Sequence, residues 1–459
     1  MDMALFVSEL MHRHPDELPY LTHDRERITR GQLQDSIALE AALFRALGVT
    51  SGTAVALQSP PSFTQITAVF ALWQLDAQVI LVDHRLKPAE VAALHEMCRP
   101  QYVVHAAPIG RAVLSTQSHY ELITESRPGV EPAGTDHRLV QFSSGSTGRP
   151  KAIGRTTASL RAEVERFARL AGMPARGERV LLLSSTVHSF GLVAGLLHSL
   201  YAGAEVVFTP KLSARDILAT ALKHRVHTLF GVPFHYELLS TVGTAPELPD
   251  LRAAVSGGEM MPAEVAARFA ERYGVPVGES YGTTETGVIA MDVSGALRPA
   301  IGPPVPGVTI RIRDGELDVR LDESPYLYGS GGDRYVDGWL QTRDRAVLDS
   351  RGEVQLAGRS DSLVTIGGLK VDLAEVEAAL LMHPQVTGAV LVYGDGIEAY
   401  ISADLSVPKP LTSAELLRWC HARLADYKLP RLIRVLPALP RTANGKLVRE
   451  PATLRAAAA

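Results

Sequence analysis

Three short segments of this 459-residue chain place reactive or phosphate-binding groups at informative spacings. The first is Ser143-Ser144-Gly145-Ser146-Thr147-Gly148-Arg149-Pro150-Lys151. Six small residues in a row leave backbone N–H groups open, four of them carry hydroxyls, and a lysine follows. A bound polyphosphate needs this combination, a concave nest of donors and a point positive charge. The Gly-Lys-Ser/Thr of a Walker A loop is absent. The alternative is a solvated Gly/Ser turn, but such a linker does not normally end in Pro-Lys straight after a strand, here expected at Arg138–Phe142.

The second segment is Gly278-Glu279-Ser280-Tyr281-Gly282-Thr283-Thr284-Glu285-Thr286-Gly287. Gly278 to Gly282 matches the G-x-S-x-G nucleophile elbow, which makes Ser280 a candidate hydrolase nucleophile. Only His383 and His421 follow it, both in the last part of the chain, and no oxyanion segment of the HGGG type is visible. The other reading is a nucleotide loop, with an aromatic face for a base, hydroxyls for phosphate and Glu285 as an oxygen ligand for a hard cation. A plain Gly-bounded turn with a solvated glutamate stands beside both.

The third is Leu439-Pro440-Arg441-Thr442-Ala443-Asn444-Gly445-Lys446. Asn444-Gly445 is a tight-turn pair that presents Lys446 at a loop tip. Taken alone, it reads as a surface hairpin with a solvated lysine.

The elements that must hold these segments follow from periodicity. Short apolar, often β-branched runs recur at Thr53–Leu57, Val79–Val82, Tyr102–Val104, Arg138–Phe142, Val180–Leu183, Thr228–Val232, Leu251–Val255 and Val275–Val277. Helical patterns alternate with them, one starting near Ser213 and one running Ala263–Tyr273 to a stop at Gly274. This alternation predicts an α/β fold with mostly parallel sheets. From about Gly302 to Gly358 the texture turns to Gly, Pro and Asp with short alternating runs, as in an antiparallel barrel or meander. A compact last unit follows, with helices at Asp372–Met382 and Ser413–Ala425 and strands near Ala389–Val392 and Glu398–Ser402. The domain boundary is expected between residues 358 and 362.

Composition narrows the function classes. The length suggests about three compact units, or one large and one small. Apolar residues are 46% and charged residues 21%, which excludes disordered and coiled-coil classes. The net charge of −4 is no footprint for nucleic acid. Past Asp426, counted inclusively, seven Lys/Arg face two acids, a local +5 that suits a phosphate-bearing partner or merely a solvated face. Two distant cysteines, Cys98 and Cys420, form no disulfide framework and suit a reducing cytosol. No targeting segment or membrane span is read, so a cytoplasmic protein is expected.

Ser143–Lys151, Tyr281–Glu285, Thr342–Asp344, Gly358–Asp361 and Thr442–Lys446 occur in the order, and at roughly the spacing, of the adenylate-forming superfamily, and the chain resembles it over nearly its whole length. That superfamily includes acyl- and aryl-CoA ligases, acid–carrier-protein ligases, peptide-synthetase adenylation domains and luciferases. The resemblance makes the elbow reading of Ser280 a coincidence and implies an N-terminal body, residues 1–360. This body would hold two sheet–helix subdomains and a β-barrel-like part at about 302–358. A smaller, mobile α+β lid would span 361–459. It also implies an ATP-dependent, AMP-forming acid–thiol ligase that makes an acyl-adenylate and then an acyl thioester.

Carried over position by position, the resemblance assigns ATP to Ser143, Ser144, Gly145, Ser146, Thr147, Gly148 and Lys151. Gly257 and Gly258 would line the base and Tyr281 would lie against the adenine, with Gly282 and Thr283 in the same loop. Thr284 would contact phosphate, Glu285 would ligate Mg²⁺, Asp344 would bind the ribose hydroxyls and Arg359 the ribose or phosphates. Asp361 would be the hinge, Lys446 the adenylation lysine, and Gly367-Gly368 would line the thiol channel. The acid pocket would use His188, Ser189, Phe190 and Gly282, with His188 gating the site or lining it; a plain core histidine is the alternative.

The chain departs from the family in one motif, which is usually Thr-Gly-Asp and here reads Thr342-Arg343-Asp344. It is also short before the phosphate loop. The acid-pocket segment Thr186–Leu192 has no Asp to pair an α-ammonium, and an unpaired buried ammonium is costly, so a non-amino aryl or fatty carboxylate is expected. CoA is the expected thiol, with the phosphopantetheine of an acyl carrier protein or an amine acceptor as alternatives. A monomer or homodimer is expected, with no nucleic acid or membrane partner.

Overall fold

The computed structural model describes every residue except 1, 108–116, 132, 144–149, 245, 330–333, 360, 361, 404–410, 441–446 and 459. The chain divides into two compact units. The first comprises residues 1–84, 99–142 and 152–358, and the second comprises 85–98, 143–151 and 359–459.

Two large sheets dominate the α/β part. One has eight strands in the order Gly287–Asp292, Val277–Thr283, Ala253–Gly257, Thr228–Gly231, Arg179–Leu182, Glu205–Phe208, Pro19–His23 and Glu26–Thr29. The other has six, in the order Leu122–Ser126, Tyr102–Ala106, Ala54–Gln58, Gln78–Leu81, His137–Ser143 and Lys151–Thr156. Their central pairings are parallel. Strands such as Gln78–Leu81 and Thr228–Gly231 are buried at every position. That is why they read as continuous apolar runs, because helices cover both faces of a parallel sheet.

The expected helices form where their caps are written. Ser213 Oγ accepts the Asp216 N–H at 3.1 Å and starts helix Ala214–Lys223. Helix Ala263–Tyr273 stops at Gly274, whose φ of +70° costs a glycine nothing. The antiparallel texture past residue 302 becomes a five-stranded sheet of Ile310–Arg313, Glu316–Arg320, Tyr335–Val336, Trp339–Leu348 and Val354–Arg359.

One expected element is displaced. The strand read at Val275–Val277 instead runs Val277–Thr283, so Gly278 to Thr283 is strand and not loop. Gly, Glu and Ser are poor strand formers, but this stretch is paired on both sides, with Ala253–Gly257 and with Gly287–Asp292. Pairing on two edges outweighs intrinsic propensity.

In the second unit, helix Leu373–Leu381 is capped by Asp372, whose carboxylate accepts the Ala374 N–H at 2.9 Å. Strands Val386–Tyr393, Ile397–Ala403 and Leu432–Leu436 form its sheet. Helix Ser413–His421 ends four residues before the expected Ala425, where the Arg423 N–H turns back three residues to the Cys420 carbonyl, the tighter 3₁₀ spacing. Hairpin Leu363–Ile366/Leu369–Asp372 turns on Gly367 and Gly368, both at positive φ (+56° and +82°), as a two-residue hairpin turn requires. Helix Pro88–Cys98 also belongs to this unit, and the buried Lys428 ammonium lies 2.7 Å from both Glu90 and Glu375. Cys98 and Cys420 are buried free thiols, pushed up by burial to about 12 and about 11. Among the described residues no helix is long and apolar enough to cross a membrane.

Candidate active site

The first unit brings several of the singled-out residues together at the carboxyl ends of its parallel strands, where α/β sheets carry their ligands. Gly257 ends one strand and pairs in register with Ser280 of the next. The following residue, Tyr281, is buried, and its hydroxyl donates to Asp344 Oδ2 at 2.7 Å. Asp344 is also buried. Its N–H donates to Thr342 Oγ1 at 3.1 Å, and the Thr342 hydroxyl donates to the Leu317 carbonyl at 2.7 Å. The aromatic ring and the carboxylate are therefore held by one hydrogen bond across two sheets.

The Thr-Arg-Asp departure has a backbone cost. Arg343 has φ +64°, the left-handed region where glycine is the strain-free choice. Its guanidinium lies 3.7 Å from the Glu316 carboxylate, on the half-exposed side of the strand.

The segment expected to form the acid pocket reaches the same strand end. Phe190 opens a π-helix, Phe190–Leu197, a rare geometry that often marks functional positions. A Cβ on Gly257 would lie 2.8 Å from the Phe190 ring, so glycine lets the ring seat against the strand. Phe190 also packs against Phe230, with centroids 5.8 Å apart. Val232 is 3.9 Å from the Cβ position of Gly258, the residue after Gly257. His188 is partly exposed, and its Nε2 lies 3.7 Å from Asp83 Oδ2. Ser189 is half-buried just before the π-helix.

Gly282 sits where the strand register shifts, with the Gly287 carbonyl inside contact distance of any Cβ. Thr284 and Glu285, both half-buried, form the turn between Val277–Thr283 and Gly287–Asp292. Thr283 Oγ1 and Thr286 Oγ1 are 3.1 Å apart across the base of this turn. Among the described residues no group of three or more His, Cys, Asp or Glu side chains forms a metal cluster. Ser143 ends strand His137–Ser143, Lys151 opens strand Lys151–Thr156 and is buried, and Arg359 ends strand Val354–Arg359. Ser144, Gly145, Ser146, Thr147, Gly148, Asp361 and Lys446 lie outside the described residues.

The hydrolase reading of Ser280 is corrected. A nucleophile elbow is a sharp strand-to-helix turn that exposes its serine. Ser280 lies mid-strand, buried, and paired with Gly257 on one side and Met291 on the other.

Sequence reading missed other members of this region. Asp83 is buried between His84 Nδ1, at 3.6 Å, and His188 Nε2. Its signal is its place just past an expected strand end. Gln141 Nε2 donates to the Val187 carbonyl at 2.6 Å and ties strand His137–Ser143 to the His188 segment. His235 Nδ1 accepts the Val232 N–H at 3.1 Å, and burial lowers this imidazole to about 4. Burial lifts the Glu279 carboxyl above its ordinary range, against Met261 N–H and Arg298, whose guanidinium is 2.8 Å away.

This is the architecture of a mixed α/β protein with a large N-terminal body and a small C-terminal domain. A family model described as AMP-binding enzyme matches residues 7–325, and one described as AMP-binding enzyme C-terminal domain matches residues 375–446. The chain belongs to the AMP-binding enzyme family, within the adenylate-forming superfamily. It is similar to benzoate–CoA ligase of Thauera aromatica, 28% identical over 435 residues that cover 88% of this chain and 81% of that protein. Its fold matches o-succinylbenzoate CoA synthetase of Bacillus subtilis with a TM-score of 0.81, at 24% identity and covering 98% and 97% of the two chains. It also matches an amide bond synthetase of Marinactinospora thermotolerans with a TM-score of 0.82, at 20% identity and 99% of each chain.

Proposed function

We propose that this protein is an ATP-dependent carboxylic acid ligase that forms an acyl-adenylate and then an acyl thioester, with CoA as the thiol. The observation that carries the reading is the meeting of the expected acid-pocket segment and the expected nucleotide strand at Gly257, where Phe190 seats against the glycine that pairs with Ser280, the residue before Tyr281. A carboxylate bound beside Phe190 then lies next to a nucleotide bound by Tyr281 and Asp344. Bringing the two reactants together in one orientation removes much of the entropic barrier.

In the first half-reaction the substrate carboxylate oxygen attacks the ATP α-phosphorus, and the bond to pyrophosphate breaks. Lys446 would bridge the carboxylate and the α-phosphate as negative charge builds. In the second, the thiol sulfur attacks the adenylate carbonyl, its proton is lost, and AMP leaves. Asp361 would be the hinge that lets the small domain serve both steps in turn. Gly367-Gly368, a hairpin tip without side chains, suits the wall of a narrow thiol channel.

Glu285 is the residue that would hold Mg²⁺. The donor set fits, because Mg²⁺ at nucleotides takes one or two protein carboxylates and draws its remaining ligands from phosphate and water. When bound, the ion would neutralise phosphate charge. The aromatic and apolar surroundings of Phe190 and Phe230, with no acid in Thr186–Leu192, support an aryl or fatty acid without an α-ammonium. An amide-forming second step is the second reading, favoured by the fold match to an amide bond synthetase. The two buried free thiols suit a reducing cytoplasm.

The test is a panel of carboxylic acids with a pyrophosphate-release readout, run with and without CoA. Acid-dependent release and CoA-dependent thioester are expected. Lys446→Ala should abolish acid-dependent pyrophosphate exchange with the fold intact, and full exchange in that variant would remove Lys446 from its role. Asp361→Pro, which fixes φ, should keep adenylate formation and lose thioester formation. Equal loss of both steps would count against the hinge.

A further inference from the structure

The turn that carries Thr284 and Glu285 rests on a charged pair that no motif of the family reading includes. Glu163 Oε1 accepts the Val288 N–H at 2.9 Å, immediately after the turn. Arg155 Nη2 donates to Glu163 Oε2 at 2.7 Å, and the two side chains are only 4% and 3% exposed. Arg155 is held in turn by Ser159, whose Oγ accepts from its Nε at 3.1 Å and whose carbonyl accepts from Nη2 at 3.2 Å. Gly287 has φ +69°, and any Cβ there would run into the Glu163 carboxylate. The carboxylate therefore fills the space a side chain would take, directly beneath the turn.

Stability alone does not account for such a pair. Removing two charges from water is expensive, and apolar residues of the same volume are often as stable or more so. What a buried carboxylate supplies is a strong acceptor at a fixed place, because charge-assisted hydrogen bonds are shorter and stronger than neutral ones. Glu163 stands in the buried stripe of its helix, with Thr157, Leu160, Val164 and Phe167, where packing alone would call for an apolar residue. Arg155 lies on strand Lys151–Thr156, which leads directly out of the expected phosphate loop.

We infer that Glu163, neutralised by Arg155, is a positioning residue that sets the Thr283–Gly287 turn and through it the affinity for ATP. This rests on the ATP-binding reading above. Calorimetric titration of the full chain with ATP and Mg²⁺ tests it without any acid substrate. Glu163→Ala removes the acceptor, and Gly287→Ala displaces the turn while both charges remain. Each should weaken ATP binding by about tenfold or more, a loss of about 1.4 kcal/mol per factor of ten. Arg155→Met/Glu163→Gln keeps volume, neutrality and an oxygen for the Val288 N–H, and should recover most of what Glu163→Ala loses. ATP affinity within about twofold of the unaltered chain in folded Glu163→Ala and Gly287→Ala overturns the inference, because a structural role moves the melting temperature and not the affinity. No ATP binding by the unaltered chain overturns the functional reading itself, and this inference with it.

Discussion

The Tyr281 hydroxyl donates to the Asp344 carboxylate across 2.7 Å, joining residues 63 positions apart in two different sheets. Tyr281→Phe keeps the ring and removes that donor. The buried Asp344 then loses a partner, which costs about 1–3 kcal/mol. The expected outcome is a lower urea midpoint and an ATP KM raised by about tenfold in pyrophosphate exchange, a change of about 1.4 kcal/mol. Unchanged values of both would mean that the pair orders nothing.

Arg343 occupies a left-handed position at φ +64°. Relief of that strain by Arg343→Gly is offset by the greater unfolded-chain entropy of glycine, so its stability should stay within about 0.5 kcal/mol of the parent. Arg343→Val places a β-branched residue where it is least tolerated and should lose about 1–2 kcal/mol. Denaturant unfolding of the two variants checks this. Valine as stable as glycine would show that the backbone there is not strained in solution.

His235 and His198 are buried and lowered by desolvation to about 4, from an ordinary value of 6.5. The unfolded chain takes up protons below 6.5, whereas the folded chain resists until about 4. Stability from each histidine is therefore full above pH 6.5 and lost as the pH falls from 6.5 to 4. Near pH 5 each contributes a slope of about 1 kcal/mol per pH unit. His235→Asn keeps an oxygen for the Val232 N–H and cannot titrate. Unfolding measured from pH 7 to pH 4.5 should show a shallower slope in this variant, and parallel curves would rule out His235 as a source.

The described residues on either side of the lysine segment are clamped. The Val448 N–H donates to the Pro440 carbonyl at 3.0 Å. Arg449 makes a two-pronged contact with Glu377, at 2.5 and 2.8 Å, and Glu377 also accepts the Leu391 N–H at 2.8 Å. If Lys446 acts in adenylation, Arg449→Met should lower pyrophosphate exchange about tenfold, or about 1.4 kcal/mol in the barrier, and leave thioester formation from preformed adenylate nearly intact. Equal loss in both assays would assign the clamp to stability alone.

Much of this protein is local in origin and was therefore legible. Ser213 with Asp216 wrote a helix start, Gly274 wrote a helix end, and continuous apolar runs wrote buried parallel strands. These signals depend on neighbours a few residues away. The order of five motifs likewise lies along the chain, so family and chemistry class followed from sequence. Substrate pocket and positioning contacts did not, because they depend on residues far apart. Ser280 matched a nucleophile elbow until strands on both sides held it extended. The Thr342-Arg343-Asp344 departure takes its physical meaning from the positive φ of Arg343, which no sequence pattern shows. Sequence alone determined the fold class and the family. Tertiary structure decided that Phe190 meets Gly257 and that Glu163 sits beneath Gly287. It decided these because a buried contact is set by packing and pairing across sheets, and no local pattern encodes which distant residue will fill a glycine's empty side.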